Sequence, residues 1–191
     1  QQGSLITSQG SSITSLSNSI TGLAAAGANL LLDGGFESAP LGAFSGGTVV
    51  AANARTGANS LLIAPAAGNA DVLVGEFSVS PGRTIYAEAY AKASVVTSGG
   101  GSVDLQLQFR TVGQSVAWVS LQLINLSQLG GTFTKLSGTA NVPAGYDKCR
   151  VYATLRRGAD AAARINIDDV FVADVTEAQS AIDLANTKAS S

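Results

Sequence analysis

The fold class is easiest to recognise in the segment Arg164-Ile165-Asn166-Ile167-Asp168-Asp169-Val170-Phe171-Val172. Its β-branched and aromatic residues predict a strand. Two adjacent carboxylates interrupt it, and successive side chains of a regular strand point to opposite faces. A buried ionised carboxylate needs a hydrogen bond, an opposite charge or a metal ion. We interpret this stretch as the closing strand of a β domain, with Asp168 and Asp169 as candidate ion ligands.

Working back from this strand, the pattern is β throughout residues 29–173. Clusters of Gly, Pro, Asn and Asp separate the predicted strands, which is typical of a sandwich or jelly roll. Residues 30–32 predict a further short apolar strand before the others. The predicted strands are 48–54, 60–64, 72–80, 83–93, 102–111, 115–125, 131–142, 149–157 and 164–173.

The two flanks have a different, heptad period and predict short coiled-coil helices. Residues 1–28 form the first predicted stalk segment and residues 174–191 begin a second. A Ser/Thr-rich disordered linker is the alternative for the first segment. The predicted oligomerisation residues are Ile6, Ile13, Leu16, Ile20, Leu23, Val175 and Ile182.

Composition excludes several classes of function. The chain has 191 residues and a formal net charge of −2, so it has no basic excess for nucleic acid. Histidine is absent and Cys149 is the single cysteine, which excludes zinc sites of the Cys/His type and Ser-His or Cys-His nucleophiles. No apolar run approaches the length of a membrane span.

Alternation assigns a core face and an outer face to four strands. In residues 116–123, for example, Val119, Leu121 and Leu123 are expected inward, with Trp118 and Gln122 outside. Aromatic faces stack on sugar rings, and planar polar groups bind hydroxyl groups. In an oligomer, the same outward residues would equally suit subunit contacts. The candidate glycan-binding residues are Tyr90, Gln106, Gln108, Arg110, Trp118, Gln122, Arg150, Tyr152 and Arg156.

Several motifs resemble those of galactose-binding-like, carbohydrate-binding-module jelly rolls. They are the Asn29-Leu30 and Asp33-Gly34-Gly35-Phe36-Glu37 opening, Arg55-Thr56-Gly57-Ala58-Asn59-Ser60-Leu61, Ser80-Pro81-Gly82-Arg83-Thr84-Ile85-Tyr86, Phe133-Thr134-Lys135-Leu136-Ser137-Gly138-Thr139 and Ile165-Asn166-Ile167-Asp168-Asp169-Val170. The resemblance covers residues 29–173 and implies a jelly roll of two antiparallel sheets.

The resemblance also implies a structural calcium ion where the first and last strands meet. Its ligands would be Glu37 and Asp168 or Asp169, with backbone carbonyls of the 56–60 turn. The alternative is that these carboxylates accept backbone hydrogen bonds or pair with Arg55 or Arg164.

A binding-module jelly roll between two heptad segments resembles a section of a phage tail fibre or tail-tip protein. This resemblance implies a homotrimer in the virion, outside the cell, that contacts other tail or baseplate proteins and attaches to a host glycan. A structural spacer of the fibre and a binding module of a secreted glycosidase are the alternatives. An enzyme is not expected, because Asp168 and Asp169 on opposite strand faces cannot flank one glycosidic bond.

Overall fold

The computed structural model is a sandwich of two antiparallel sheets. Hydrophobic side chains from the inner faces of both sheets form its core. The structure describes residues 29–38, 43–44, 46–64, 69–95, 100–111, 116–158 and 162–180.

The larger sheet has six strands in the order β1-β2-β3-β10-β5-β8. Its closing strand β10 lies in the interior of the sheet, paired with β3 on one side and β5 on the other. The strand bounds are β1 Ala43–Phe44, β2 Gly47–Val50, β3 Ser60–Ile63, β5 Thr84–Val95, β8 Thr134–Asn141 and β10 Arg164–Asp174.

The smaller sheet has four strands in the order β4-β9-β6-β7. These are β4 Ala70–Ser78, β6 Ser102–Arg110, β7 Ala117–Asn125 and β9 Lys148–Arg156, with a 3-10 turn at Leu126–Gln128 after β7. The predicted mainly-β sandwich is therefore confirmed, and each of the nine strands predicted from residue 48 onward has a counterpart. The alternation in β5, β6 and β9 is also confirmed, because the residues that it places inward are at most 2% exposed. They are Ile85, Ala87, Ala89, Ala91, Val103, Leu105, Leu107, Phe109, Cys149, Val151, Ala153 and Leu155.

A bulge in β7 changes the faces predicted for its second half. Leu105 pairs with Gln122, but the next residue, Gln106, pairs with Ser120, so Leu121 is the extra residue. Gln122 therefore turns inward, where its side-chain oxygen accepts a hydrogen bond from the backbone N–H of Ser137 in the other sheet at 2.7 Å. Leu123 turns outward and is 50% exposed. The predictions of an outward Gln122 and an inward Leu123 were wrong.

A second bulge interrupts β10 between Asp168 and Phe171. Asp168 pairs with Tyr90 and Phe171 with Glu88, which leaves two residues without a partner on β5. Asp169 has φ of 48°, outside the strand region. The two aspartates consequently do not point to opposite sides of a regular strand, as the alternation predicted. Both carboxylates reach the same loop.

Residues 30–32 are bends and turns rather than the predicted strand. Asn29 attaches this segment to β10, because its amide nitrogen donates to the carbonyl of Val170 and its amide oxygen accepts from the N–H of Val172, both at 2.9 Å. Backbone bonds add to this attachment, because the N–H of Leu30 donates to the carbonyl of Val172 at 2.9 Å. Leu32 projects into solvent.

At the other end of the domain, the chain passes from β10 into helix at residues 176–180. Val175, a predicted coiled-coil position, is 9% exposed and packs in a small apolar cluster with Phe171, Tyr86 and Ala178. Residues of its own domain thus supply this burial, and the predicted role of Val175 in oligomerisation stays a prediction. The remaining predicted oligomerisation residues, at positions 6, 13, 16, 20, 23 and 182, lie outside the described residues. So do the whole first predicted stalk segment, residues 1–28, and residues 181–191 of the second, which was predicted over 174–191. Within the described ranges, no helix has the length and apolar character needed to cross a membrane.

Candidate functional site

The outer face of the four-stranded sheet carries seven of the nine candidate glycan-binding residues. Strand register places them in rows across the sheet: Trp118, Gln108 and Arg150 form one row, and Arg110 pairs with Lys148 in the next. In the other direction, Gln106 pairs with Tyr152. We call this surface the four-stranded face. The seven residues are Gln106, Gln108, Arg110, Trp118, Arg150, Tyr152 and Arg156.

Two aromatic rings meet over the middle of the four-stranded face. The ring centroids of Trp118 on β7 and Tyr152 on β9 lie 4.9 Å apart, with a tilt of 50°. Because β6 lies between these two strands, the rings lean over it. This explains why Gln106 and Gln108, which alternation places on the outer face, are each only 7% exposed. The indole of Trp118 itself remains 46% exposed.

A hydrogen-bonded network fixes the side chains beside these rings. The carboxylate of Asp104 accepts from the amide of Gln106 and from the hydroxyl of Ser120, both at 2.6 Å. The hydroxyl of Thr154 donates to Asp71 at 2.8 Å. Asp104 is 1% exposed, so these bonds compensate the burial of its charge. Arg156 lies further off, 3.7 Å from the same carboxylate.

The other end of the face is basic. Arg150 donates to Glu76 at 2.5 Å, and this bond, with the nearby charges of Arg110 and Lys148, lowers the pKa of Glu76. The ammonium group of Lys148 donates to the hydroxyl of Ser78 at 2.9 Å. This end therefore presents two guanidinium groups and one ammonium group around a single outward carboxylate.

The structure does not bring Tyr90 and Gln122 to this face. Tyr90 belongs to the outer face of the six-stranded sheet, where the guanidinium of Arg55 lies 3.6 Å from its ring centroid. Lys135 and Lys92 lie 5.8 Å from the rings of Tyr86 and Phe133 on the same sheet. The aromatic rings of that face thus already contact the protein's own cations.

The three candidate metal ligands converge on one loop, residues 55–59. Glu37 accepts from the N–H groups of Ala58 and Asn59, both at 2.9 Å. Asp168 accepts from the N–H groups of Arg55 at 2.6 Å and Thr56 at 3.2 Å. The close approach needs Gly57, which has φ of 64° and whose hypothetical Cβ would lie 2.3 Å from the Glu37 carboxylate.

Asp169 binds the side chains of the same loop. Its carboxylate accepts from the guanidinium of Arg55 at 2.6 Å and from the hydroxyl of Thr56 at 2.5 Å. Its backbone N–H donates to the carboxylate of Asp168 at 2.8 Å. Asp168 is fully buried, and burial raises its pKa although the three N–H donors oppose this effect. The acids thus hold the loop against the β10 bulge.

This geometry does not fit a calcium site. The loop offers its N–H groups to the carboxylates rather than the backbone carbonyls that a cation requires, and Arg55 places a positive charge beside Asp169. Among the described residues, no three His, Cys, Asp or Glu side chains are grouped to hold a metal ion. Calcium stays a prediction of the resemblance, whereas the contacts match the alternative of hydrogen-bonded carboxylates.

Comparison with solved structures shows the same fold in carbohydrate-binding modules. A family 16 module has a TM-score of 0.54 and 16% identity, over 76% of this chain and 100% of that one. A family 61 module solved with β-1,4-galactotriose has a TM-score of 0.51 and 15% identity, over 78% of this chain and 99% of that one. Family 22 xylan-binding domains are also similar.

A phage protein has the same fold in part of its length. The enzymatically active domain of tailspike protein 4 from bacteriophage CBA120 has a TM-score of 0.55 and 15% identity, over 76% of this chain but only 21% of that one. No protein-family model matches this chain, and no curated protein matches it either. At these identities, the similarity shows a jelly-roll fold and nothing further.

Sequence reasoning missed three features of the four-stranded face. Leu123 was assigned to the core, and the buried roles of Asp104 and Thr154 were not foreseen. Alternation does place Asp104 and Thr154 on the outer face. Their positions directly opposite each other on β6 and β9 could therefore have predicted a polar contact between the two strands. Leu123 gave no comparable signal, because nothing in the sequence of β7 marks the position of its bulge.

Proposed function

We propose that the four-stranded face binds a glycan and that the chain is a non-catalytic binding module. The observation that carries the proposal is the half-exposed Trp118 ring, which meets Tyr152 above the glutamine row of β6. A sugar ring can stack on the indole, while neighbouring amide and guanidinium groups bind its hydroxyl groups. The similarity in fold to carbohydrate-binding modules supports this proposal.

Truncation of the exposed indole tests the proposal. For any polysaccharide that the chain binds, Trp118→Ala should lower the affinity about thirtyfold, since loss of a central aromatic contact removes about 2 kcal/mol of binding free energy. Isothermal titration against a panel of neutral and acidic polysaccharides provides the measurement. Phe133→Ala is the matched control, because Phe133 lies on the six-stranded sheet against Lys92. Absence of binding to every polymer would favour the alternative of a structural spacer.

We also propose that the chain is a section of a trimeric phage tail fibre or tail-tip protein that attaches the virion to a host surface. Its support is the heptad pattern of residues 1–28 and the helix that begins after β10. The similarity to part of a phage tailspike is a further support. A binding module of a secreted glycosidase would share the jelly roll but does not explain two heptad flanks.

Light scattering distinguishes these contexts. A fibre section should have three times the 19.1 kDa mass of the chain, and Ile13→Asp, at a predicted core position of the stalk, should reduce it towards the monomer. A wild-type chain that is monomeric at micromolar concentration would count against the fibre.

A further inference from the structure

The basic end of the four-stranded face contains two cations placed directly opposite each other. Arg110 on β6 pairs in register with Lys148 on β9. Like charges directly opposite on neighbouring strands repel and destabilise a sheet. An acidic side chain between them would remove this cost.

The acids of this region do not form ion pairs with these two cations. Glu76 is the outward acid of β4 at this end. It forms its ion pair with Arg150, although Arg110 and Lys148 are near enough to lower its pKa as well. Asp147 directly precedes β9 and is exposed, and it forms no ion pair among the described residues. Across the described ranges, neither Arg110 nor Lys148 forms an ion pair, although Lys148 donates to Ser78.

The side-chain amide of Gln108 lies next to the two cations. Gln108 is two residues before Arg110 on the same face of β6, and the residue as a whole is 7% exposed. Its amide is not among the fully buried polar atoms without a partner in the described residues, so it still reaches solvent. An amide in this position can donate to and accept from a ligand hydroxyl group.

These groups form one continuous surface with the stacking ring. Trp118 pairs with Gln108, and Arg110 lies about 7 Å further along β6, the spacing of two strand residues. That distance is comparable with the size of one sugar ring. A ring stacked on Trp118 would therefore bring a substituent on its edge to Arg110 and Lys148.

We infer that the four-stranded face binds an acidic glycan, with the carboxylate of a uronic acid residue at Arg110 and Lys148. The inference rests on the proposed glycan-binding function and specifies its ligand class. The planar guanidinium of Arg110 matches a carboxylate in two parallel hydrogen bonds, and Lys148 adds a second positive charge. The amide of Gln108 binds a neighbouring hydroxyl group, and the ligand carboxylate adds a second negative charge to an end of the face where three cations surround the one carboxylate of Glu76.

Matched acidic and neutral polymers test the inference. Polygalacturonate, alginate and hyaluronate are each titrated into the whole chain beside their carboxyl-reduced forms, at low and high salt. We expect at least one acidic polymer to bind about tenfold more tightly than its reduced form, with the difference shrinking as salt screens the charges. Dextran sulfate is included to detect binding to any polyanion.

Charge variants locate the effect. Arg110→Gln and Lys148→Gln should each weaken binding of the acidic polymer about three- to tenfold at low salt, and should weaken binding of its carboxyl-reduced form by a clearly smaller factor. Arg164→Gln, an exposed arginine on the other sheet, is the matched control and should change neither. Thermal melts of all three variants confirm that the fold is retained.

The outcomes separate this inference from the proposal on which it rests. If the chain binds an acidic polymer and its carboxyl-reduced form with equal affinity, and Trp118→Ala weakens binding to both, the inference is overturned while the proposed glycan-binding function stands. Equal or tighter binding of dextran sulfate, insensitive to Trp118→Ala, would overturn it in favour of unspecific charge attraction. Absence of binding to every polymer would overturn both.

Discussion

Replacement of Asp168 separates two explanations of the acids in β10. If the carboxylate is an acceptor for protein N–H groups, its oxygen atoms matter more than its charge. If it binds a cation, the charge is essential. Asp168→Ala removes the acceptor, whereas Asp168→Asn retains one carbonyl oxygen of nearly the same shape.

The expected magnitudes follow from the three N–H groups that Asp168 accepts. In Asp168→Ala, the N–H groups of Arg55, Thr56 and Asp169 lose their acceptor in a fully buried place. At about 1–3 kcal/mol each, with partial relief by water, the loss is about 3–6 kcal/mol. That corresponds to a melting temperature about 10–20 °C lower for a chain of this length.

Asp168→Asn should lower the free energy of unfolding by about 1–2 kcal/mol, because its oxygen can still accept from Arg55 and Thr56 while its NH₂ group faces the N–H of Asp169.

This loss of stability also depends on pH. Burial raises the pKa of Asp168 in the native state above its ordinary 3.8, so the native state binds more protons and wild-type stability falls as pH rises through this window. The asparagine does not titrate, and its deficit should therefore be largest in acid and shrink towards neutral pH.

Chemical and thermal unfolding from about pH 3 to pH 7 measures these differences. Asp147→Asn is the control for the same change at an exposed aspartate. The reasoning is refuted if Asp168→Asn is as unstable as Asp168→Ala at neutral pH. A chelator that lowers the wild-type melting temperature, with recovery on adding calcium, would establish the predicted ion instead.

Two further predictions concern packing and the single thiol. Gly138→Val should lower the free energy of unfolding by about 1–3 kcal/mol, because a Cβ at Gly138 would lie 3.0 Å from the Cβ and 3.1 Å from the carbonyl oxygen of Leu121 across the sandwich. Gly131→Val is the control: position 131 has open space around it, so a denaturant titration should show almost no change in stability. Cys149 is fully buried, and burial raises its pKa to about 12. A thiol reagent at pH 8 should therefore label it only as fast as the domain opens. Rapid labelling of the native protein would show that β9 is not buried as described.

The sequence predicts the fold well where a strand is regular. In β6 and β9, unbroken alternation identified every inward residue, because period-two hydrophobicity directly reflects burial on one face. It fails at bulges, since one extra residue reverses every face beyond it. The pairing that selects a bulge involves residues distant in the sequence, such as Leu105 and Gln122, and no local pattern records it.

The candidate site was predicted in part for the same reason. Seven outward residues share the four-stranded face because β6, β7 and β9 are neighbours in one sheet. The order of these strands in the sheet could not be derived from the turn signals in the sequence. Tyr90 has the same sequence character as Tyr152, yet its strand belongs to the other sheet. Side-chain chemistry thus indicated the kind of surface, and sheet topology determined which residues share it.

The two outer faces differ in how their aromatic rings are used, and this difference decides where a ligand can bind. On the six-stranded sheet, Arg55 lies over Tyr90 and is itself held by Asp169, so a ligand would have to displace an ion pair from the ring. On the four-stranded face, the ring of Trp118 contacts Tyr152 and leaves nearly half of its surface to solvent. A ligand on the six-stranded sheet would therefore meet a ring already occupied by Arg55, and glycan binding is expected on the four-stranded face.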